Sequence, residues 1–127
     1  MAVTFLIVDD SKLARIVAGK AIAALQPDWT RVEAANAADA LAVVANQKID
    51  LAILDFNMPD KDGLELAAEL RASHPNMPIA VITANVQDEI IARVRELNAT
   101  FVAKPVTEEA ISSFISGAAL RLRMARA

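Results

Sequence analysis

Hydrophobic positions along the chain follow two patterns that alternate five times. Short runs of β-branched and apolar residues indicate strands, and between them apolar residues recur about every three or four positions, which is typical of helices. The first, third and fourth runs are apolar throughout, as expected for strands that are covered on both faces of a sheet. The predicted strands cover residues 4–8, 30–33, 51–54, 79–82 and 100–103.

Polar residues that favour helix N-termini precede the helical segments. Asp62 is followed by Glu65 three positions later, a spacing typical of a capping pair, and this helix is predicted to run to Ala72. Thr107 precedes two glutamates, which suit the positive end of a helix dipole. The predicted N-caps are Asp10 or Ser11, Asn36, Asp62, Asn85 and Thr107.

Strands that alternate with helices at this spacing imply βαβ units and a parallel sheet. The sequence therefore predicts the α/β class, with a five-stranded parallel sheet doubly wound by five helices. A length of 127 residues suits one domain, and the short connections show no boundary within it. We expect a single domain over residues 1–127.

Composition excludes several classes of protein. The chain has no cysteine, which rules out disulfides and thiolate metal sites. A net charge of −3 argues against non-specific nucleic-acid binding, which needs a dense basic surface. The first apolar run is too short for a membrane span and lacks the basic residues of a signal peptide. We expect a cytoplasmic protein that binds neither nucleic acid nor membranes directly.

The residues that could carry chemistry follow the predicted strands. In open parallel sheets, ligands bind beyond the carboxyl ends of the strands. Asp9 and Asp10 follow the first strand, Asp55 the third, Thr83 the fourth and Lys104 the fifth. Three carboxylates at one edge repel each other unless a hard cation such as Mg²⁺ joins them. With a lysine and a hydroxyl beside it, such a site could hold a phosphoryl group and neutralise the charge of its transfer.

This pattern resembles the receiver domain of two-component response regulators, in particular the single-domain chemotaxis regulators. The resemblance covers nearly the whole chain and implies the flavodoxin-like strand order 2-1-3-4-5. The positions that carry it are Asp9-Asp10, Asp55, the loop from Asn57 to Gly63, Thr83 followed by Ala84, Phe101, and Lys104-Pro105.

The resemblance implies a role for each site residue. Asp55 would be the phospho-acceptor, and Asp10, Asp55 and the backbone carbonyl of Asn57 would ligate Mg²⁺, for which Mn²⁺ is expected to substitute. Asp9 would act mainly through a metal-bound water, and Lys104 would pair with the phosphoryl oxygens. The Lys104-Pro105 bond would be cis.

The resemblance also implies a switch and partners. Thr83 would move to the phosphoryl group and Phe101 would turn into the vacated space, altering the face formed by the fourth helix, fifth strand and fifth helix. The phosphoryl donor would be a histidine kinase, a histidine phosphotransfer protein or a small phosphodonor. The output would be a downstream effector protein. The chain would be a monomer or a weak dimer through the altered face, and a self-modifying switch rather than a turnover enzyme.

Two further aspartates are interpreted as structural. Asp60 and Asp62 lie in the segment Pro-Asp-Lys-Asp-Gly that ends at Gly63. Aspartate favours turns and helix caps because its short side chain accepts hydrogen bonds from nearby backbone N–H groups. The sequence assigns neither of them to the site.

Other functions remain open alternatives. A Mg²⁺-dependent phosphohydrolase would need a second carboxylate two residues after its nucleophile, where this chain has Asn57. A flavin-binding domain would need a phosphate loop after the first strand, where Asp9 and Asp10 would instead repel phosphate. A degenerate receiver that only binds partners is a third alternative, and a receiver fragment of a longer response regulator is a fourth.

Overall fold

The computed structural model describes residues 3–84 and 86–126, in which strands and helices alternate along the chain. The strands are β1 (Thr4–Val8), β2 (Thr30–Ala34), β3 (Leu51–Asp55), β4 (Ile79–Thr83) and β5 (Thr100–Ala103). The helices are α1 (Lys12–Leu25), α2 (Ala37–Asn46), α3 (Gly63–Ser73), α4 (Asp88–Glu96) and α5 (Glu108–Arg126). The predicted elements are confirmed, and β2, β3 and β4 each extend one residue further, to Ala34, Asp55 and Thr83.

The strands form one parallel sheet in the order β2-β1-β3-β4-β5, which confirms the predicted fold class and strand order. The chain passes from β1 to one neighbour, β2, and then returns to the other neighbour, β3. The strand order reverses there, so a crevice opens at the carboxyl ends of β1 and β3. This crevice is where Asp9, Asp10 and Asp55 lie.

Two apolar layers hold the sheet between the helices. One contains Leu6, Leu54 and Val81 with residues of α2, α3 and α4, and the other contains Ile53 and Ile82 with residues of α1 and α5. Neighbouring residues of a strand thus face opposite layers, as the pleat requires. β3 and β4 are buried along their whole length, and so is β1 except for its first residue, which explains their continuous apolar runs.

Most of the predicted helix caps are confirmed. Ser11, rather than Asp10, caps α1, and its hydroxyl accepts from the backbone N–H of Ala14 at 3.2 Å. The other confirmed caps are Asn36, Asp62 and Thr107, whose side chains accept from Asp39, Glu65 and Ala110 respectively.

The predicted cap of the fourth helix was wrong. Helix α4 begins at Asp88, with Gln87 at its N-cap position and no capping bond from that side chain. Asn85 itself lies outside the described residues. Two acidic residues in the first turn, Asp88 and Glu89, compensate the helix dipole there, so a good start signal in the sequence was not the one that the chain uses.

In the described residues, no helix combines the length and the apolar character that crossing a membrane requires.

Candidate functional site

Three carboxylates meet at the carboxyl edge of the sheet. Asp9 and Asp10 follow β1, Asp55 ends β3, and one oxygen from each lies within 4.8 Å of the others. Asp10 is exposed, Asp9 is partly buried and Asp55 is 4% exposed. The neighbouring positions of β1 and β3 in the sheet bring together side chains that are more than forty positions apart in the sequence.

Lys104 supplies a positive charge at this edge. Its Nζ lies 2.8 Å from Oδ1 of Asp55. Within the described part of the chain, this is the only polar contact recorded at that oxygen. The backbone N–H of Lys104 donates to the carbonyl of Thr83 at 3.0 Å, which fixes the start of the loop after β5. The Lys104-Pro105 peptide bond is cis, as the resemblance implied.

The charges in the cluster perturb each other. Partial burial is the main cause that raises the pKa of Asp9 above its ordinary value; the backbone N–H of Ser11 opposes this, and the Asp55 charge adds to it. The pKa of Lys104 is raised chiefly by its hydrogen bond with Asp55. Three carboxylates beside one ammonium leave excess negative charge in a partly buried site, and this costs free energy.

The residues present fit a hard divalent cation. Buried oxygen ligands in excess of nearby positive charge are what Mg²⁺ binds in proteins, usually through one or two carboxylates. Asn57 lies two residues after Asp55, in the loop between β3 and α3 that begins at this edge. The donor set is entirely oxygen, which favours Mg²⁺ or Mn²⁺ over zinc or copper.

Thr83 and Phe101 lie beside the cluster on the next two strands. Thr83 is fully buried at the end of β4, and Phe101 is half-buried on β5 opposite Val81. Because side chains alternate along a strand, Thr83, Val81 and Phe101 share the sheet face that α4 covers. Thr83 pairs with Ala103 and Val81 pairs with Phe101, so Thr83 and Phe101 lie two positions apart in the register on this face.

One contact in this site had no signal in the sequence. Arg15 of α1 donates from its NH1 nitrogen to the backbone carbonyl of Asp9 at 2.6 Å and from Nε to Glu33 at 2.9 Å. The arginine side chain is only 15% exposed. It holds the main chain at the acidic pair, and its partners could not be inferred because they depend on how α1 packs against β2.

A cavity of about 680 Å³ extends from the carboxylates along α1. Asp9, Asp55 and Lys104 line one end. Most of the remaining wall is apolar and comes from α1 and the start of α5, including Leu13 and Val17, which are 70% and 58% exposed. The buried carboxylate is thus reached from solvent over an apolar surface.

Comparison with known sequences gives the family. The profile of the response regulator receiver domain matches residues 5–116. The chain belongs to this family. The receiver domain is 36% identical over 111 residues to the cyclic di-GMP phosphodiesterase response regulator RpfG of Xanthomonas campestris. The matched segment covers 84% of this chain and 29% of RpfG.

Other relatives are transcriptional and response regulators. The receiver domain is 32% identical over 91 residues to the transcriptional regulatory protein GlrR of Escherichia coli, covering 71% of this chain and 20% of GlrR. It is 34% identical over 113 residues to the response regulator MprA of a Mycobacterium species, covering 86% of this chain and 47% of MprA. The chain therefore spans less than half the length of each of these relatives.

Solved structures share the fold. The receiver domain of an HD domain-containing protein from Pseudomonas fluorescens superposes with a TM-score of 0.87 at 21% identity, covering 98% of this chain and 99% of that one. The Vibrio cholerae chemotaxis protein CheY4 superposes with a TM-score of 0.82 at 24% identity, covering 93% and 99%. This receiver domain has the CheY-like arrangement of five parallel strands and five helices.

Proposed function

We propose that this receiver domain is a phosphorylation-activated signalling switch whose phospho-acceptor is Asp55. The observation that carries the proposal is a nearly buried carboxylate within reach of two others and of Lys104, at the carboxyl edge of the sheet. A carboxylate oxygen is a competent nucleophile for phosphorus when the charges around it are neutralised. The chain modifies itself in this reaction, so it is a switch rather than a turnover enzyme.

The chemistry is a single displacement at phosphorus. A carboxylate oxygen of Asp55 attacks the phosphoryl group of a phosphohistidine; the new O–P bond forms as the P–N bond breaks, and the imidazole leaves with the electron pair. Lys104, which contacts Asp55 before transfer, pairs with a phosphoryl oxygen of the acyl phosphate that forms. Acetyl phosphate can serve as a small donor in the same displacement.

The carboxylates of Asp10 and Asp55 and the carbonyl of Asn57 would hold the Mg²⁺ ion, with Asp9 acting through a bound water and Mn²⁺ as a substitute. When bound, the ion would supply positive charge to the transferring phosphoryl group. The protein's own part is to hold these oxygens at one edge, where partial burial already raises the pKa of Asp9.

The signal would leave the site through Thr83 and Phe101. A phosphoryl group on Asp55 offers new acceptor oxygens, toward which the Thr83 hydroxyl moves. Phe101 then turns into the space left on the same sheet face, and the surface formed by α4, β5 and α5 changes for an effector protein. A weak dimer through this surface is the oligomeric form that we expect beside the monomer.

The donor would be a histidine kinase or a histidine phosphotransfer protein. Asp55 is almost inaccessible, yet the cavity that contains it continues over the exposed apolar side chains of Leu13 and Val17. A partner that presents a phosphohistidine at the carboxylates can bury these side chains at the same time, which stabilises the complex.

The deciding experiment is the intact mass of the protein after incubation with acetyl phosphate, with Mg²⁺ or with EDTA. We expect the wild type to gain one phosphoryl group only with Mg²⁺. Asp55→Asn should gain none. The double variant Asp9→Ala/Asp10→Ala should also gain none, with or without Mg²⁺.

Rapid hydrolysis could hide the adduct, so beryllofluoride binding to the wild type is measured in parallel by NMR. Absence of both the adduct and beryllofluoride binding would reject the switch and leave a module that only binds partners. Multiple turnover of a phosphate ester would instead favour a phosphohydrolase. The sequence argues against that function, because Asn57 occupies the position of the second carboxylate that such an enzyme needs.

A further inference from the structure

The loop between β3 and α3 carries one of the proposed metal ligands, the Asn57 carbonyl. A carboxylate ligand can adjust its position by rotating its side chain, but a backbone carbonyl cannot. Its position depends on the path of the loop alone. The groups that fix residues 56–62 therefore matter for metal binding in a way that they would not for a side-chain ligand.

Both ends of this loop are fixed to the sheet and to α3. The backbone N–H of Phe56 donates to Ile82 at 2.8 Å, and the N–H of Gly63 donates to the Phe56 carbonyl at 2.8 Å. Gly63 packs so closely that a Cβ there would lie 2.6 Å from the Asp55 carbonyl. The middle of the loop needs a different anchor, because none of these contacts reaches it.

Asp60 provides that anchor by contacting a helix elsewhere in the chain. Its Oδ1 accepts from the backbone N–H of Ala37 at 3.1 Å and its Oδ2 from that of Ala38 at 2.9 Å. These are the first two residues of α2, whose N–H groups have no partner within the helix. The N–H of Lys61 also donates to Oδ1, at 2.9 Å, so the same carboxylate fixes the turn of its own loop.

The contact is electrostatically favourable. The N-terminus of a helix carries partial positive charge, so an ionised carboxylate is stabilised there. The pKa of Asp60 is accordingly held below its ordinary value, first by the N–H of Ala38 and also by those of Ala37 and Lys61, against a smaller effect of desolvation. Asn36 caps the next N–H of the same helix, that of Asp39, at 2.8 Å.

We infer that Asp60 is a positioning residue for metal binding: by bonding the middle of the β3–α3 loop to the start of α2, it sets the position of the Asn57 carbonyl. This inference rests on the proposed function, because it assumes that this carbonyl is a ligand. Asp60 lies three residues after Asn57, and its carboxylate accepts from the backbone N–H groups of Ala37, Ala38 and Lys61.

The test compares Asp60→Ala with Asn36→Ala. Both substitutions remove an acceptor from the start of α2, but only the first releases the loop, so Asn36→Ala is a matched control for helix stability. Mg²⁺ affinity is measured by NMR titration, and phosphorylation by acetyl phosphate is measured over a range of Mg²⁺ concentrations. Asp60→Asn, which keeps one acceptor oxygen, serves as the conservative variant.

For Asp60→Ala we expect Mg²⁺ affinity to fall by roughly tenfold, as when a residue that orients a metal ligand is removed. At saturating Mg²⁺ its phosphorylation rate should return to within about twofold of the wild type, because the nucleophile and Lys104 are untouched. The Mg²⁺ affinity of Asp60→Asn should lie between those of the wild type and Asp60→Ala. Asn36→Ala should bind Mg²⁺ like the wild type.

Wild-type affinity in Asp60→Ala would overturn the inference. An equal loss in Asn36→Ala would also overturn it, because the effect would then belong to helix α2 and not to the loop. If the wild type itself neither bound Mg²⁺ nor accepted a phosphoryl group, the proposed function would fail, and the inference with it. That result is distinguishable because it appears before any substitution is made.

Discussion

Single residues in this protein act through partners that the sequence shows only in part. Asp55 and Lys104 could be placed at one edge in advance, because both follow predicted strands of one parallel sheet, and the structure shows their charged atoms 2.8 Å apart. Asp60 and Asp62 were both interpreted as turn or cap residues. Asp62 caps its own helix, whereas Asp60 binds the start of a helix more than twenty positions earlier. The second contact has no local pattern that could have predicted it.

The Asp60 contact gives stability a defined pH dependence. Because its folded pKa lies below the ordinary value of 3.8, folding favours the ionised form, and the stabilisation is fully present above pH 3.8. It is lost as pH falls through the lowered pKa. Asp60→Asn should therefore be less stable than the wild type at pH 7, and the difference should shrink below pH 3.8.

Urea denaturation at a series of pH values measures this difference. Asn36→Ala is again the control, since the loss of a neutral cap should cost the same at each pH. A gap between Asp60→Asn and the wild type that stayed constant down to pH 3 would show that ionisation of Asp60 does not contribute to folding.

At the scale of elements, the two ends of the sheet have different roles. The carboxyl edge holds the charged cluster, while the opposite edge is held by backbone contacts made by Arg71 at the end of α3. Its guanidinium donates to carbonyls of the α3–β4 loop and of the α4–β5 connection, namely those of His74, Pro75, Met77, Leu97 and Asn98. One side chain thus joins the α3–β4 loop to the α4–β5 connection.

Removing that side chain should destabilise the fold without changing the chemistry. For Arg71→Ala we expect the free energy of unfolding in urea to fall by about 2–3 kcal/mol, because several carbonyls lose a charged donor at once. Arg93→Ala on exposed α4 is the control, with an expected change within about 0.5 kcal/mol. Under conditions in which Arg71→Ala is folded, its phosphorylation by acetyl phosphate should equal that of the wild type.

Helix α1 carries the apolar surface next to Asp55. A substitution on this surface should affect transfer from a protein donor but not from a small phosphodonor. Val17→Asp should slow transfer from any histidine kinase that phosphorylates the wild type, because a charge at a docking surface must be desolvated. Transfer from acetyl phosphate should be unchanged. Met124→Asp, at an exposed apolar position of α5 outside the cavity, is the control. Equal slowing with both donors would instead mean that the substitution damaged the site itself.

At the scale of the whole molecule, the proposed switch requires that a change at Asp55 reach the surface formed by α4, β5 and α5. Thr83 and Phe101 share the sheet face covered by α4, and Gln87 at the N-cap position of α4 makes no side-chain capping bond. In the proposed switch, α4 shifts when the packing beneath it changes. The family resemblance predicted the switch role of Thr83 and Phe101, whereas the start of α4 became visible only in the structure.

Thr83→Ala tests this route. Beryllofluoride should still bind at Asp55, but the amide shifts that it causes in α4 and β5 should be largely lost, because the hydroxyl that follows the phosphoryl group is missing. Two-dimensional NMR of the wild type and the variant, each with and without beryllofluoride, measures both effects. Full α4 shifts in Thr83→Ala would remove this threonine from the switch.

The sequence by itself determined the elements and the site's main residues. Strands covered on both faces must be apolar throughout, and residues that follow parallel strands must meet at one edge, so Asp9, Asp10, Asp55 and Lys104 could be grouped from their positions alone. The strand order came from the family resemblance and was confirmed by the sheet.

Only the tertiary structure decided the contacts between elements that are distant in the sequence. The bonds from Arg15 to Asp9, from Asp60 to α2 and from Arg71 to two loops join backbone groups to charged side chains. Backbone groups have the same chemistry at every position, so the sequence carries no mark of which one a side chain will reach. The helix that begins at Asp88 shows the same limit, since the sequence predicted its N-cap at Asn85 and the structure has Gln87 at that position.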